Sequence, residues 1–184
     1  MTATKKRHGL IGAVLFDLGD TLIHERNDSE RRLDAMTLHL MPHARRTLEI
    51  LARDYHLGLV TDTESSGELA VRNALRKLGI ESYFEAIVTS TDQGIRKPDP
   101  RMFLTALRIL HVPPKEAAMV GNDSRCDIGG AKRLGMLTIL FQPAGSRHPQ
   151  RRIAADYCVS SHSQIPELLA AFNMHHQSKR SVTP

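Results

Sequence analysis

Short apolar runs alternate with amphipathic stretches through the middle of this 184-residue chain, and that alternation restricts its fold more than any other feature. The runs Ala13–Asp17, Leu57–Thr61, Ala86–Thr89, Ala117–Val120 and Leu137–Phe141 have the length of strands. Between them, Leu48/Leu51/Tyr55, Val71/Leu75/Leu78 and Phe103/Leu107/Leu110 recur at helical spacing. Strands alternating with helices predict an α/β fold with a central parallel sheet of about five strands. Ser65-Ser66-Gly67-Glu68 reads as a capping box opening the second helix, and Gly79 and Gly135 read as left-handed helix stops. Ile165/Leu168/Leu169/Phe172 marks one more helix. The pattern gives a single domain over residues 10–173, with polar, flexible tails at 1–9 and 174–184.

Composition removes several alternatives. No apolar run approaches the ~18–20 residues that span a bilayer. Cys126 and Cys158 offer neither a disulfide framework nor paired metal spacing, so the expected location is cytoplasmic. The net charge is +5. Part of that excess lies in Lys5-Lys6-Arg7 and Lys179-Arg180, with Arg147, Arg151 and Arg152 beside an expected loop. Aromatic residues are only 4% and do not interleave with the basic ones, which argues against nucleic acid. Attraction for anionic, phosphorylated substrates accounts for the charge equally well. The ten histidines show no ligand spacing and read as surface or core residues.

Four strand ends carry candidate chemistry. The first run stops at Asp17, followed by Gly19, Asp20 and Thr21. A carboxylate at the carboxyl edge of a parallel sheet can attack phosphorus or hold a divalent cation. The second run ends in Thr61-Asp62, where a hydroxyl can donate to a phosphoryl oxygen. In Arg96-Lys97-Pro98-Asp99-Pro100 the prolines hold the backbone extended and fix Lys97 at a loop-to-helix junction. An ammonium there can neutralise a carboxylate and a transferring phosphoryl group together. The fourth run leads into Gly121-Asn122-Asp123-Ser124-Arg125-Cys126-Asp127. Its acidic residues suit Mg²⁺, and they equally suit the start of a helix.

Taken in order, these stations resemble the haloacid dehalogenase superfamily, whose members are mostly magnesium-dependent phosphatases. The resemblance rests on Phe-Asp-Leu-Gly-Asp-Thr-Leu, on Arg-Lys-Pro-Asp-Pro-Arg-Met-Phe, and on Val-Gly-Asn-Asp-Ser through Asp127-Ile-Gly-Gly-Ala-Lys-Arg-Leu-Gly-Met. It implies a Rossmann-like three-layer domain. It also implies that Asp17 is a nucleophile forming an aspartyl-phosphate and a Mg²⁺ ligand, with the Gly19 carbonyl beside it. Thr61, with Asp62 next to it, would hold the phosphoryl oxygens. Lys97 would neutralise charge, and Asp127, with Asp123 or Asn122, would complete the metal site.

Two positions depart from the family pattern. The usual second Asp, two residues after the nucleophile, is Gly19 here, and the spare carboxylate is Asp20. Asn122 stands where an Asp is usual. These departures favour the alternative, a weakened domain that binds a phosphorylated ligand or protein without efficient turnover. Only about His24 to Met41 is left for a cap, with room for one short helix around Leu33/Met36/Leu40. A short or absent cap implies an open site, a phosphorylated small molecule or macromolecule as partner, or a cap supplied by a homo-oligomer.

Overall fold

The computed structural model describes residues 10–24, 32–145 and 153–180. The basic groups at 5–7, 147 and 151–152 and the first expected tail lie outside those residues. In chain order the elements are β1 (Ala13–Phe16), a 3-10 turn (Leu33–Ala35), α1 (Ala44–Leu51), β2 (His56–Thr61) and α2 (Glu68–Lys77). Then come β3 (Ala86–Thr89), α3 (Ser90–Gln93), α4 (Pro100–Leu110) and β4 (Ala117–Gly121). A π-helical turn (Ser124–Ile128), α5 (Gly129–Arg133), β5 (Leu137–Phe141), β6 (Tyr157–Val159) and α6 (Gln164–Arg180) follow, with two further 3-10 turns at Glu81–Tyr83 and Pro114–Glu116.

Among the described residues the six strands pair in parallel, in the order β3-β2-β1-β4-β5-β6. The five expected strands are present, and β6 adds a sixth at the edge. β6 escapes the apolar signature because two of its three residues are exposed. Side chains alternate across the sheet and build two cores. Val14, Phe16, Leu57, Leu59, Val120 and Ile139 pack with residues of α1, α2 and α6 on one face. Ala13, Leu15, Val60, Val88 and Met119 pack with residues of α4 and α5 on the other. The result is three layers, helix–sheet–helix.

Local signals were met unevenly. Gly79 and Gly135 take the left-handed conformation, at φ 65° and 73°, as helix stops should. Asp99 caps α4 by accepting from the Arg101 amide, with Pro100 in the first turn. The capping box of α2 does not form. The cap position is Gly67, and the Glu68 amide donates to Asp92 Oδ2 at 2.6 Å. A carboxylate of α3 takes the place of the Ser65 hydroxyl, while Ser66 Oγ accepts from the Leu33 amide instead. α1 ends at Leu51, so Tyr55 lies beyond it in a buried turn. α6 continues past 173 to Arg180, because no glycine or proline interrupts Met174–Arg180. Among the described residues of the expected cap, the helix is a single 3-10 turn at Leu33–Ala35, followed by an isolated antiparallel bridge from Leu40 to Ile23.

This topology positions the site. From β1 the chain runs outward through β2 and β3, then returns to the other side of β1 and runs out through β4, β5 and β6. The crevice at such a reversal lies at the carboxyl ends of the strands and is where open α/β sheets hold ligands. Here it lies between β1 and β4, directly before Asp17 and Asn122.

Candidate active site

Asp17 leaves β1 with its amide still donating to the Val120 carbonyl of β4 at 3.0 Å, so the carboxylate starts from a fixed base. The next residues form a tight turn in which the amides of Thr21, Leu22 and Ile23 all donate to the Leu18 carbonyl. That turn returns the Thr21 hydroxyl to Asp17, where it donates to Oδ2 at 3.0 Å. The same hydroxyl lies 3.4 Å from Asn122 Oδ1. One proton thus faces two oxygens that converge from adjacent strand ends.

Lys97 reaches the other side of Asp17. Its ammonium donates to Asp17 Oδ1 at 2.5 Å and to Asp127 Oδ1 at 2.7 Å. All three groups are buried, at 7%, 7% and 1% exposure for Asp17, Lys97 and Asp127. Burial opposes the ammonium's charge, but Asp127 and Asp17 outweigh it and raise the Lys97 pKa above the ordinary lysine range. Burial likewise pushes the Asp127 carboxyl up, with Asp17 adding to the shift and Lys97 opposing it. Two carboxylates share one ammonium, so the cluster carries an excess negative charge when all three groups are ionised.

The second oxygen of Asp127 accepts from the Asp123 amide at 2.9 Å. Asp127 therefore has both oxygens engaged, one by Lys97 and one by backbone. Gly121 is essential to this fit, since a Cβ there would lie 2.3 Å from Asp127 Oδ2. Asp123 turns away to cap the π-helical turn, its Oδ1 accepting from the amides of Arg125 and Cys126 at 2.7 Å each. Asp123 Oδ1 thus makes the contacts of a helix start.

The remaining expected residues are placed as follows. Thr61 is buried at the end of β2, in register with Thr89. Asp62 Oδ1 accepts from the Lys97 backbone amide at 3.0 Å, so it steadies the loop that delivers the ammonium. Asp20 is half-buried with a left-handed backbone, φ 50°. Gly19 makes an isolated bridge to Ile23 within the turn. The residue that sequence reasoning left without a role is Thr21, whose signal was its hydroxyl four positions after Asp17.

The donor set fits Mg²⁺. Among the described residues no three His, Cys, Asp or Glu side chains converge on one point. Mg²⁺ does not need such a cage, because it is held by one or two carboxylates and keeps several waters. The Asp17 carboxylate and the Asn122 amide oxygen converge on the Thr21 hydroxyl, and all are hard oxygen donors.

Comparison with known proteins identifies the family. Residues 18–141 match the family model of haloacid dehalogenase-like hydrolases. Glyceraldehyde 3-phosphate phosphatase of Pyrococcus furiosus is 31% identical over 148 residues, covering 79% of this chain and 59% of that protein. Ribulose-1,5-bisphosphate 5-phosphatase of Halopiger xanaduensis is 35% identical over 108 residues, covering 58% of this chain and 44% of that protein. The chain thus spans about half the length of these curated relatives. Among solved structures, an uncharacterized protein from Listeria monocytogenes serotype 4b superposes with a TM-score of 0.78 at 27% identity, covering 88% of this chain and 98% of that one. A HAD phosphatase from Thermococcus onnurineus superposes at 0.70 with 25% identity, covering 86% and 98%. The chain belongs to the haloacid dehalogenase-like hydrolase family.

Proposed function

We propose that this protein is a Mg²⁺-dependent phosphohydrolase of phosphorylated small molecules, working through an aspartyl-phosphate on Asp17. The observation that carries the reading is the placement of Lys97 Nζ between Asp17 and Asp127, at 2.5 and 2.7 Å. A carboxylate at a ligand crevice, paired with a buried cation and flanked by a hydroxyl, suits charge-neutralised attack on phosphorus.

In this reading an Asp17 oxygen bonds to phosphorus as the bond to the leaving oxygen breaks. The leaving group departs with the bonding pair and takes a proton from water or Asp20. Water then cleaves the acyl phosphate, restoring Asp17 and releasing inorganic phosphate. Lys97 compensates the charge gathered at Asp17, Thr21 orients the carboxylate, and Thr61 donates to phosphoryl oxygens. Asp127 holds the ammonium in place. Asp17, Asn122 and the Gly19 carbonyl would hold Mg²⁺, which supplies positive charge against the phosphoryl oxygens when bound. The matched relatives named as sugar-phosphate phosphatases support the substrate class.

The test is phosphate release from glyceraldehyde 3-phosphate, p-nitrophenyl phosphate and acetyl phosphate, with and without Mg²⁺, for the native chain and Asp17→Asn. Mg²⁺-dependent release lost in the variant supports the reading. Preference for acetyl phosphate would assign Gly19 the role of restricting leaving groups. Absence of release from all three, with Mg²⁺ still raising the melting temperature, would favour the binding domain without turnover.

A further inference from the structure

His162 lies in the junction between β6 and α6, fully buried, and the chemistry above makes no use of it. Its Nε2 is 2.7 Å from the Thr21 carbonyl oxygen. A carbonyl only accepts, so Nε2 carries the proton and donates. Nδ1 has no hydrogen-bond partner among the described residues. The ring packs against Phe141 with centroids 4.3 Å apart, and the His162 carbonyl accepts from Thr47 Oγ1 at 2.9 Å. Burial lowers the imidazole pKa to about 4, so the ring is neutral at pH 7.

A leucine or methionine would fill such a place without stranding a nitrogen. What the imidazole adds is one N–H, directed at Thr21. Within the turn the amides of Thr21, Leu22 and Ile23 go to Leu18, and the Thr21 carbonyl is engaged from outside by His162. The side chain of that same residue donates to Asp17 Oδ2. A continuous chain of bonds therefore runs from the last helical layer through Thr21 to the candidate nucleophile.

We propose that His162 is a positioning residue: its Nε2–H holds the Thr21 carbonyl and thereby fixes the turn that aims the Asp17 carboxylate. The inference rests on the hydrolase reading for its effect on turnover, and on geometry alone for its effect on the turn.

The test compares His162→Leu, which removes the donor, with His162→Gln, whose amide nitrogen can stand near Nε2. Each variant is measured for kcat and KM, for melting temperature, and for amide hydrogen exchange at residues 18–23. The Leu variant should lose ~10-fold in kcat with KM within ~2-fold, since misaimed groups slow chemistry more than binding. Its exchange at 18–23 should accelerate, and Gln should restore both readings. Unchanged kcat in the Leu variant, or equal losses in Leu and Gln, would overturn the proposal. Should the Leu variant fail to fold, His162→Asn replaces it, because its shorter amide falls short of Thr21. If the native chain releases no phosphate, the hydrolase reading fails separately and exchange decides. Acceleration in the Leu but not the Gln variant sustains the positioning role, and no acceleration overturns it.

Discussion

The turns that follow β1 and β4 deliver two carboxylates to the same ammonium, yet they are built in opposite ways. The β4 turn is self-contained. Asp123 caps it, Gly121 leaves the space Asp127 fills, and the second oxygen of Asp127 is held by backbone. The β1 turn depends on distant parts of the chain, with Thr21 engaged by His162 and its hydroxyl shared between Asp17 and Asn122. A carboxylate locked by backbone serves as scaffold. One whose free side meets a rotatable hydroxyl can exchange that contact for a substrate or a cation. In the proposed reading, environment rather than residue type divides the roles of Asp17 and Asp127.

Substitutions can break that contrast. Asp17→Asn should cost the most, ~10³-fold or more in phosphate release, because the amide cannot act as nucleophile. Asp127→Asn should cost ~10²-fold by misplacing Lys97. It should leave the Mg²⁺-induced rise in melting temperature intact, because both Asp127 oxygens are already engaged. Loss of that rise would make Asp127 a ligand and erase the distinction between the turns. Gly121→Ala should destabilise by up to ~3 kcal/mol in urea titration, since the new methyl meets Asp127 rather than a flexible side-chain end. A stable variant would show that the β4 turn is less rigid than its packing implies.

The smallest effect concerns pH. The His162 pKa falls from 6.5 to about 4, first through burial, with His43 adding and the Thr21 carbonyl opposing. The unfolded imidazole therefore takes up a proton at a pH where the folded one does not. The stability this supplies is complete above pH 6.5 and is lost as pH falls toward 4. At pH 5 the loss amounts to about 2 kcal/mol. Urea titrations at pH 7.5 and 5 should show this decrement in the native chain and not in His162→Gln. An equal decrement in both would place the sensitivity elsewhere.

The central sheet was legible because parallel strands buried on both faces read as unbroken apolar runs. β6 was not, being an exposed edge element that needs β5 beside it to form. Asp17 and Lys97 could be found because strand-end carboxylates and a proline-framed lysine leave local marks. Their partners could not. Asp92 capping α2, Asp62 holding the Lys97 amide and His162 holding Thr21 are contacts between residues 24 to 141 positions apart. Pattern reading sees periodicity along the chain, and such contacts have none. Asp123 shows the converse: a helix cap and a metal ligand have the same local signature, and its Oδ1 makes the cap contacts.

The Asn173 side chain accepts from the Ile11 amide at 2.8 Å and donates to the Tyr55 hydroxyl at 3.2 Å, locking α6 over the start of β1. Together with the bond from His162 to Thr21, this joins segments separated by 141 and 162 positions. During translation at ~5–20 residues per second, the Asp17 turn waits roughly seven to thirty seconds before its last supports are made. Asp17 is synthesised well before the residues that support its turn, and is set in place only after them. In the hydrolase reading, a nascent chain should therefore release no phosphate until α6 emerges.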